Sequence, residues 1–294
     1  MVEVKSKMAW LEQNSFTLSL KNRFLRLLHF IDFLVRRDTK EIRMANESSN
    51  PFEDCPDWWK LDKVSNAGKV LNGKLVMHNG IRVLPTAYQG YAHGKLMQRA
   101  LGIHEPQEER LFRDIILSLP ANSSMIELGS YWAYYSLWFQ KVIPHARTIM
   151  VEPKLSHLNY GRYHFKMNSF KGEFLQAGIG KNEYQDGNLK ITTVDQIMKS
   201  FSLERVSILH SDIQGYELEM LQGAEETLQK KAIDFLFIST HSDSLHEDCI
   251  SLLKEAEYKI IDHYRISESW NPDGLIVAQS SKTSSISLIP ASKR

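Results

Sequence analysis

The chain has 294 residues, 43% hydrophobic and 24% charged, enough for one large globular domain or a domain with an extension. Lys and Arg number 36 and Asp and Glu 35, a net charge of +1 that argues against nucleic acid as a bulk partner. Cys55 and Cys249 make neither a disulfide framework nor a zinc pattern. No apolar run reaches the roughly 18 residues of a membrane span, and no leader pattern opens the chain. A soluble protein of the reducing cytoplasm is the expectation.

Four segments follow in order. Residues 1–66 hold an amphipathic helix and a cover or linker. In that helix Leu20, Phe24, Leu27, Leu28, Ile31, Leu34 and Val35 recur at helical spacing, with Asn22, Arg26 and His29 opposite. Its apolar face suits packing on the chain's own domain, a dimer contact, a partner or a membrane surface, through residues 16–37. The polar, Pro-broken stretch after it carries Trp58-Trp59, both expected to bury against the main domain.

Residues 67–104 read as a hairpin and a lid-like segment. Lys74–His78 and Ile81–Leu84 flank Asn79-Gly80, a type I′ turn pair. His93 and His104 follow, as surface histidines or part of a lid.

Residues 105–280 alternate strand and helix. Helices are expected over Glu108–Leu119, Tyr131–Val142, Leu155–Met167, Gln214–Gln229 and Leu245–Ala256. Strands are expected over Met125–Leu128, Thr148–Val151, Glu173–Ala177, Val206–His210 and Asp234–Ile238. Tyr258–Asp262 and Leu275–Ala278 suit a terminal antiparallel pair. Between strands three and four lie a polar turn, Lys181–Asn188, and a short helix led by Thr192-Thr193-Val194-Asp195. Residues 281–294 are Ser/Lys-rich and read as a flexible tail. The pattern predicts an α/β fold, a mostly parallel sheet with right-handed crossovers and helices on both faces.

Ligands of such sheets sit beyond the carboxyl ends of the strands. The informative residues there are Glu127, Gly129, Glu152, the Ala177–Gly180 stretch, Asp212 and His241. Gly129 permits a tight turn and close ligand approach. The loop reads Glu-x-Gly-x-x-x-Ala and lacks the G-x-G-x-x-G that a dinucleotide needs, which disfavours NAD and FAD. It suits a ligand without phosphates, such as S-adenosylmethionine. Glu127 matches a cationic amine or an ordered water. Glu152 matches a ribose diol, or caps the following helix. Asp212, in Ser-Asp-Ile-Gln-Gly-Tyr-Glu, and His241, with Asp243 after it, are candidates for a base and its orienter. The same oxygen-rich set is the place for Mg²⁺, the less favoured reading.

These residues, in this order, resemble the FkbM-type family of S-adenosylmethionine-dependent methyltransferases. The resemblance runs over Ile126-Glu-Leu-Gly-Ser with Ala-Tyr-Tyr-Ser136, Val151-Glu-Pro153, Thr192–Asp195 and Ser211–Ala224. It covers about residues 104–262. It implies a class I methyltransferase fold with a seven-stranded, Rossmann-like sheet whose last strand is antiparallel. It implies O-methylation of a sugar, glycan or small-metabolite hydroxyl. By resemblance Glu127, Gly129, Ser130 and Glu152 contact the cofactor and Asp212 borders the methyl-transfer site; Gly178, after strand three, is a cofactor-binding candidate from its strand-end position. The chain departs at Ala133, where the family has a second glycine, and at Gln214, where it has glutamate. Those departures favour the rival reading of a non-catalytic scaffold; a nucleotide-dependent oxidoreductase is the third. Trp58, Trp59, Tyr88, Tyr91 and Trp270 are the aromatic residues suited to stack on a sugar acceptor. A homo-oligomer is compatible with all of this.

Overall fold

A computed structural model of the protein describes residues 52–294; the amphipathic segment 16–37 lies outside the described residues. Helix α1 (Pro56–Lys60) starts on proline, where the missing N–H satisfies nothing in any helix. Trp58 buries and donates its indole N–H to Ala100 O at 3.0 Å, whereas Trp59 stays 69% exposed, against the expectation for the pair.

Strands β1 (Val70–Leu71), β2 (Lys74–Val76) and β3 (Arg82–Val83) form a small antiparallel sheet. The hairpin stands where the sequence places it, but its turn chemistry differs. Asn79 is not left-handed; only Gly80 is, at φ 80°, and Met77 pairs with Ile81 across a three-residue loop. The type I′ signature falls instead on Asn72-Gly73, with φ 50° and 72°, between β1 and β2. Helices α2 (Tyr91–Arg99) and α3 (Pro106–Ile116) lead into the main domain.

The main domain then runs β4 (Ser124–Leu128), α4 (Tyr134–Val142), β5 (Arg147–Val151), α5 (Leu155–Met167), β6 (Glu173–Leu175), β7 (Gly178–Ile179), β8 (Tyr184–Asp186), β9 (Leu189–Thr192) and α6 (Val194–Ser200). It continues through β10 (Val206–Ser211), α7 (Glu217–Gln222), α8 (Glu225–Gln229), β11 (Ile233–Thr240), α9 (Asp243–Glu255), β12 (Tyr258–Tyr264) and β13 (Gly274–Ser280). The seven-stranded sheet has the order β12-β13-β11-β10-β4-β5-β6, and β13 is antiparallel to both neighbours. Counting only its own strands in chain order, this is 3-2-1-4-5-7-6, the sheet of a class I methyltransferase. Connections reverse direction at β4, so the crevice between β4 and β10 is the switch point.

Alternation along the strands feeds two cores. Met125, Met150, Ile208, Phe235 and Phe237 face α3 and α4. Ile126, Leu128, Ile149, Val151 and Leu209 face α6 through α9. Parallel strands are covered on both faces, so the polar groups gather at their ends. Glu127 and His210 are register partners and point to the α3/α4 face.

Three local readings change. Strand three ends at Leu175, and Lys181–Asn188 is not a polar turn. It contains β8, which folds back on β9 through Gly187-Asn188, with Gly187 alone at positive φ, as a type II′ turn requires. The helix expected over Gln214–Gln229 breaks at Gly223-Ala224. Gly223 lies against Gly180 O, and the Asp195 carboxylate caps α8 by accepting the N–H groups of Glu226 and Thr227 at 3.0 and 2.9 Å. That is the physical role of Asp195 in its motif.

The expected frayed tail is tied down. Asp57, fully buried and paired with Arg110 Nε at 2.8 Å, accepts from Ser292 N and Oγ at 2.7 and 2.6 Å. Gln107 donates to Ser292 O at 2.6 Å, and Ala291 N donates to Asp262 at 2.7 Å. Among the described residues no helix is long and apolar enough to cross a membrane. Asp57→Ala leaves the buried Arg110 guanidinium with Asp114 alone, 2.8 Å from its Nη1, and releases the tail; it should cost about 3 kcal/mol in urea unfolding. Hydrogen exchange at Ala291–Lys293 should rise with it, and protection kept there would contradict the anchoring.

Candidate active site

The site begins at the turn after β4. Gly129 has φ +71°, and a Cβ placed on it would stand 1.8 Å from Asp212 O. Only glycine allows the two strand ends to come that close. The same turn is tied sideways: Gly129 N and Ser130 N both donate to Val151 O, at 2.9 and 3.0 Å, and Asp212 N donates to Leu128 O at 3.0 Å. The ends of β5, β4 and β10 are thereby joined.

Glu127 is 4% exposed. Its Oε2 accepts the Ser136 N–H at 3.0 Å, satisfying an orphan donor in the first turn of α4. Burial pushes its carboxyl above the usual range, against the opposing field of His210 and the Ser136 hydrogen bonds. Glu152 spans the second crossover: Oε2 accepts from Tyr131 N at 3.1 Å and Oε1 from Lys154 N at 2.9 Å. Each oxygen has a second lone pair for a further donor. Tyr131 stacks on His157 at 3.9 Å and walls this corner. Ser130 Oγ, Ser211 Oγ and His210 Nδ1 are buried and without a protein partner. All three lie at or just past the carboxyl ends of β4 and β10.

Ala133 does not sit inside the first helical turn. It is the N-cap of α4, left-handed at φ 61°, a conformation that explains a glycine at this place in the resembled family. Gly161 on α5 supplies the room that Ala133 needs: a Cβ there would approach the Ala133 Cβ to 3.0 Å. Gly178 opens β7, and the atom nearest to a Cβ on it is Ile191 Cδ1, at 2.6 Å. Gly178 thus belongs to a separate three-stranded sheet of order β7-β9-β8.

On the other side of the crevice Asp212 and His241 meet as the sequence places them. His241 Nε2 is 3.3 Å from Asp212 Oδ1, and Nδ1 is 3.0 Å from Glu217 Oε1. A third carboxylate, Asp273 Oδ1, stands 3.5 Å from Nε2. Burial opposes charge on His241, but the Asp212 and Glu217 hydrogen bonds outweigh it and lift the imidazole to about 10. Burial pushes Asp273 up to about 6, helped by Asp212 and opposed by His241. Burial works against the Asp212 charge too, yet pairing with His241 holds this carboxyl below its usual range. Gln214 Nε2 lies 3.0 Å from Asp212 Oδ1 and 2.8 Å from His241 Nε2. With the ring protonated, Nε2 carries its own proton, so the productive bond of Gln214 is the one to Asp212. Asp243 belongs to α9, which Ser242 caps by accepting from Leu245 N at 3.2 Å. Among the described residues no group of three or more His, Cys, Asp or Glu side chains is arranged to hold a metal ion.

Tyr88 forms the roof. Its ring lies 5.3 Å from Trp132, 5.8 Å from Tyr131 and 5.4 Å from His104. Burial, then the carboxylates of Glu105, Asp212 and Asp273, push its phenol well above the usual range. Glu105 accepts from Tyr135 Oη at 2.7 Å and pairs with His104 at 3.1 Å. His104 is not a surface histidine: it is buried, and Glu105 and Glu109 overcome that burial to raise it to about 10. Asp273, Glu105 and the His104 pair escape a sequence reading because no strand end announces them. The Asn-Pro-Asp-Gly of residues 271–274 reads only as a turn.

His241 stabilises the fold when charged. Its folded value lies above the unfolded one near 6.5, so the contribution is complete below about pH 6.5 and is lost as pH rises through about 10. The stability gap between wild type and His241→Gln, followed by urea unfolding, should therefore shrink from pH 6.5 to 10. A gap that widens over that range would contradict a charged His241.

Residues 147–260 match the methyltransferase FkbM domain. No curated protein matches the chain in sequence. Among solved structures, precorrin-6y C5,15-methyltransferase of Geobacter metallireducens is similar at 14% identity and TM-score 0.43, covering 59% of this chain and 88% of its own. TrmK of M. capricolum, in complex with S-adenosyl-homocysteine, is similar at 12% identity and TM-score 0.41, over 59% and 69%. Fibrillarin of Aeropyrum pernix, with natively bound S-adenosyl-L-methionine, is similar at 13% identity and TM-score 0.41, over 57% and 74%. Residues 147–260, the stretch similar to the methyltransferase FkbM domain, lie within the 3-2-1-4-5-7-6 sheet.

Proposed function

We propose that the protein is an S-adenosylmethionine-dependent O-methyltransferase acting on a hydroxyl of a sugar, glycan or small metabolite. The observation that carries this reading is the junction of Gly129 with Asp212. A cofactor turn and an acidic residue are joined at the switch point, with nothing wider than a glycine between them.

The residues present fit the cofactor. Glu152 would hold the ribose hydroxyls on the lone pairs left by its two backbone bonds. Glu127 would accept from the ammonium of the amino-acid end, and the unpartnered Ser130 Oγ lies on the turn between them. When bound, the cofactor supplies an electrophilic methyl group on a sulfonium. The chain supplies position and a place for a proton. Asp212 faces the crevice as a carboxylate held ionised by His241. An oxygen gaining a third bond becomes strongly acidic, so a weak base in the right place suffices to take its proton. His241 is charged and hydrogen-bonded on both ring nitrogens; its role is to orient Asp212, and Glu217 fixes its ring.

Isothermal titration with S-adenosylhomocysteine should show binding. Glu152→Ala should weaken it about ten- to hundredfold, the loss expected for hydrogen bonds to a charged group. Asp212→Asn should keep that affinity within a few-fold while lowering turnover about 10²–10⁴-fold on a hydroxyl acceptor. A folded sample that binds no S-adenosylhomocysteine sinks the reading.

A further inference from the structure

The strand-end site does not use one buried pair of charged groups, Glu108 and His210. They meet under it, at the start of α3. Glu108 is 4% exposed and His210 3% exposed, and Glu108 Oε1 is 2.7 Å from His210 Nε2. Ser239 Oγ supports the second Glu108 oxygen at 3.3 Å. His210 stacks on Tyr135 at 4.2 Å and is enclosed by Phe112 and Phe237. Its other nitrogen, Nδ1, is buried and has no partner in the protein. The neighbour of His210 across the sheet is Glu127, its register partner, whose side chain lies on the same face.

We propose, on the reading that the site takes S-adenosylmethionine, that His210 held by Glu108 is a positioning residue: it keeps Glu127 ionised and oriented to receive the cofactor's ammonium. The geometry leaves few other anions or cations to do this. His210 faces Glu108 from α3, Glu105 just before α3, Glu127 from β4 and Asp212 just past β10, with the Tyr135 ring of α4 stacked on it. It is the cation beside Glu127, whose burial otherwise favours the neutral acid. Burial also opposes charge on His210 itself, and the bond to Glu108 overcomes it. Glu108, Glu127 and His210 therefore form a chain in which removal of the first discharges the last. Without Glu108 the imidazole becomes neutral near pH 7, Glu127 takes up a proton, and the ammonium loses its acceptor.

The test separates the two ends of the cofactor. S-adenosylhomocysteine carries the ammonium, whereas 5′-methylthioadenosine lacks the amino-acid end. Both are titrated into wild type, Glu108→Gln and His210→Asn by calorimetry at pH 6.5 and 8.5. Glu108→Gln should weaken S-adenosylhomocysteine about tenfold at pH 6.5, one pKa unit's worth of coupling, and recover at pH 8.5. Its affinity for 5′-methylthioadenosine should not move, and wild type should be flat for both. Equal loss of both ligands, or no loss of either, overturns the proposal. Should the variants not fold, the wild-type imidazole is read directly by nitrogen-15 NMR. Protons on both His210 nitrogens at pH 7.5 are expected, and a neutral ring overturns the assignment. Wild type that binds neither ligand removes the cofactor reading itself, a result distinct from those.

Discussion

The close approach of Gly129 to the backbone of Asp212 is the constraint on which the working edge of the molecule depends. A hydrogen in place of a side chain brings β4 and β10 together at their carboxyl ends, and the carbonyl of Val151 fixes the turn from the β5 side. The sheet connections reverse at this same pair of strands. One steric fact therefore sets where a ligand lies and which acid it meets. Gly129→Ala would have to move a main-chain carbonyl, not the flexible end of a side chain, and would hold alanine at a strained positive φ.

Charge is arranged around that edge in two tiers. The upper tier is partly open: Asp212, Asp273 and Glu217 share the single cation of His241. The lower tier is closed. There Glu109 is held well below the usual carboxylate range, as the pairings with His104 and His78 overcome its burial, and Glu108 meets His210. Buried ion pairs are poor sources of net stability, because desolvation offsets most of the attraction. What these pairs do is fix register. His78 comes from the hairpin, His104 from the loop before α3, and His210 from the centre of the sheet. An α3 slipped by one residue would leave two carboxylates buried without a cation, a cost larger than any packing it could gain.

Much of the architecture was legible in the chain. Apolar runs bounded by helical periodicity placed all seven strands of the main sheet, and the residues ending them, Glu127, Gly129, Glu152, Asp212 and His241, lie at its carboxyl edge. The lower tier was not legible, for a physical reason. Acidic residues in the first turn of a helix, as in Pro106-Gln107-Glu108-Glu109, read as companions of the helix dipole on a solvated surface. Their partners lie between 4 and 131 residues away, and no local pattern reports that. The tail misled likewise: a Ser/Lys-rich composition describes exposed chain, but Ser292 needs only one buried acceptor, Asp57, to be held. Asn79-Gly80 carried the right dipeptide in the wrong place, because loop length, not composition, decides the turn type.

The two departures from the resembled family look different once their surroundings are counted. Ala133 occupies a left-handed N-cap that glycine would take freely, and Gly161 opposite it leaves the space. The exchange keeps the volume and moves the strain. Gln214 is also left-handed, at φ 58°, which aims its amide at Asp212. A glutamate there would set a further carboxylate against Asp212, where Asp273 and Glu217 already crowd one imidazolium, and would raise the Asp212 carboxyl. The amide donates instead, and is among the causes that hold Asp212 ionised. With Asp273 already supplying a second acid beside His241, an amide at 214 is what this charge balance tolerates. The substitution therefore fits a site in which Asp212 stays ionised.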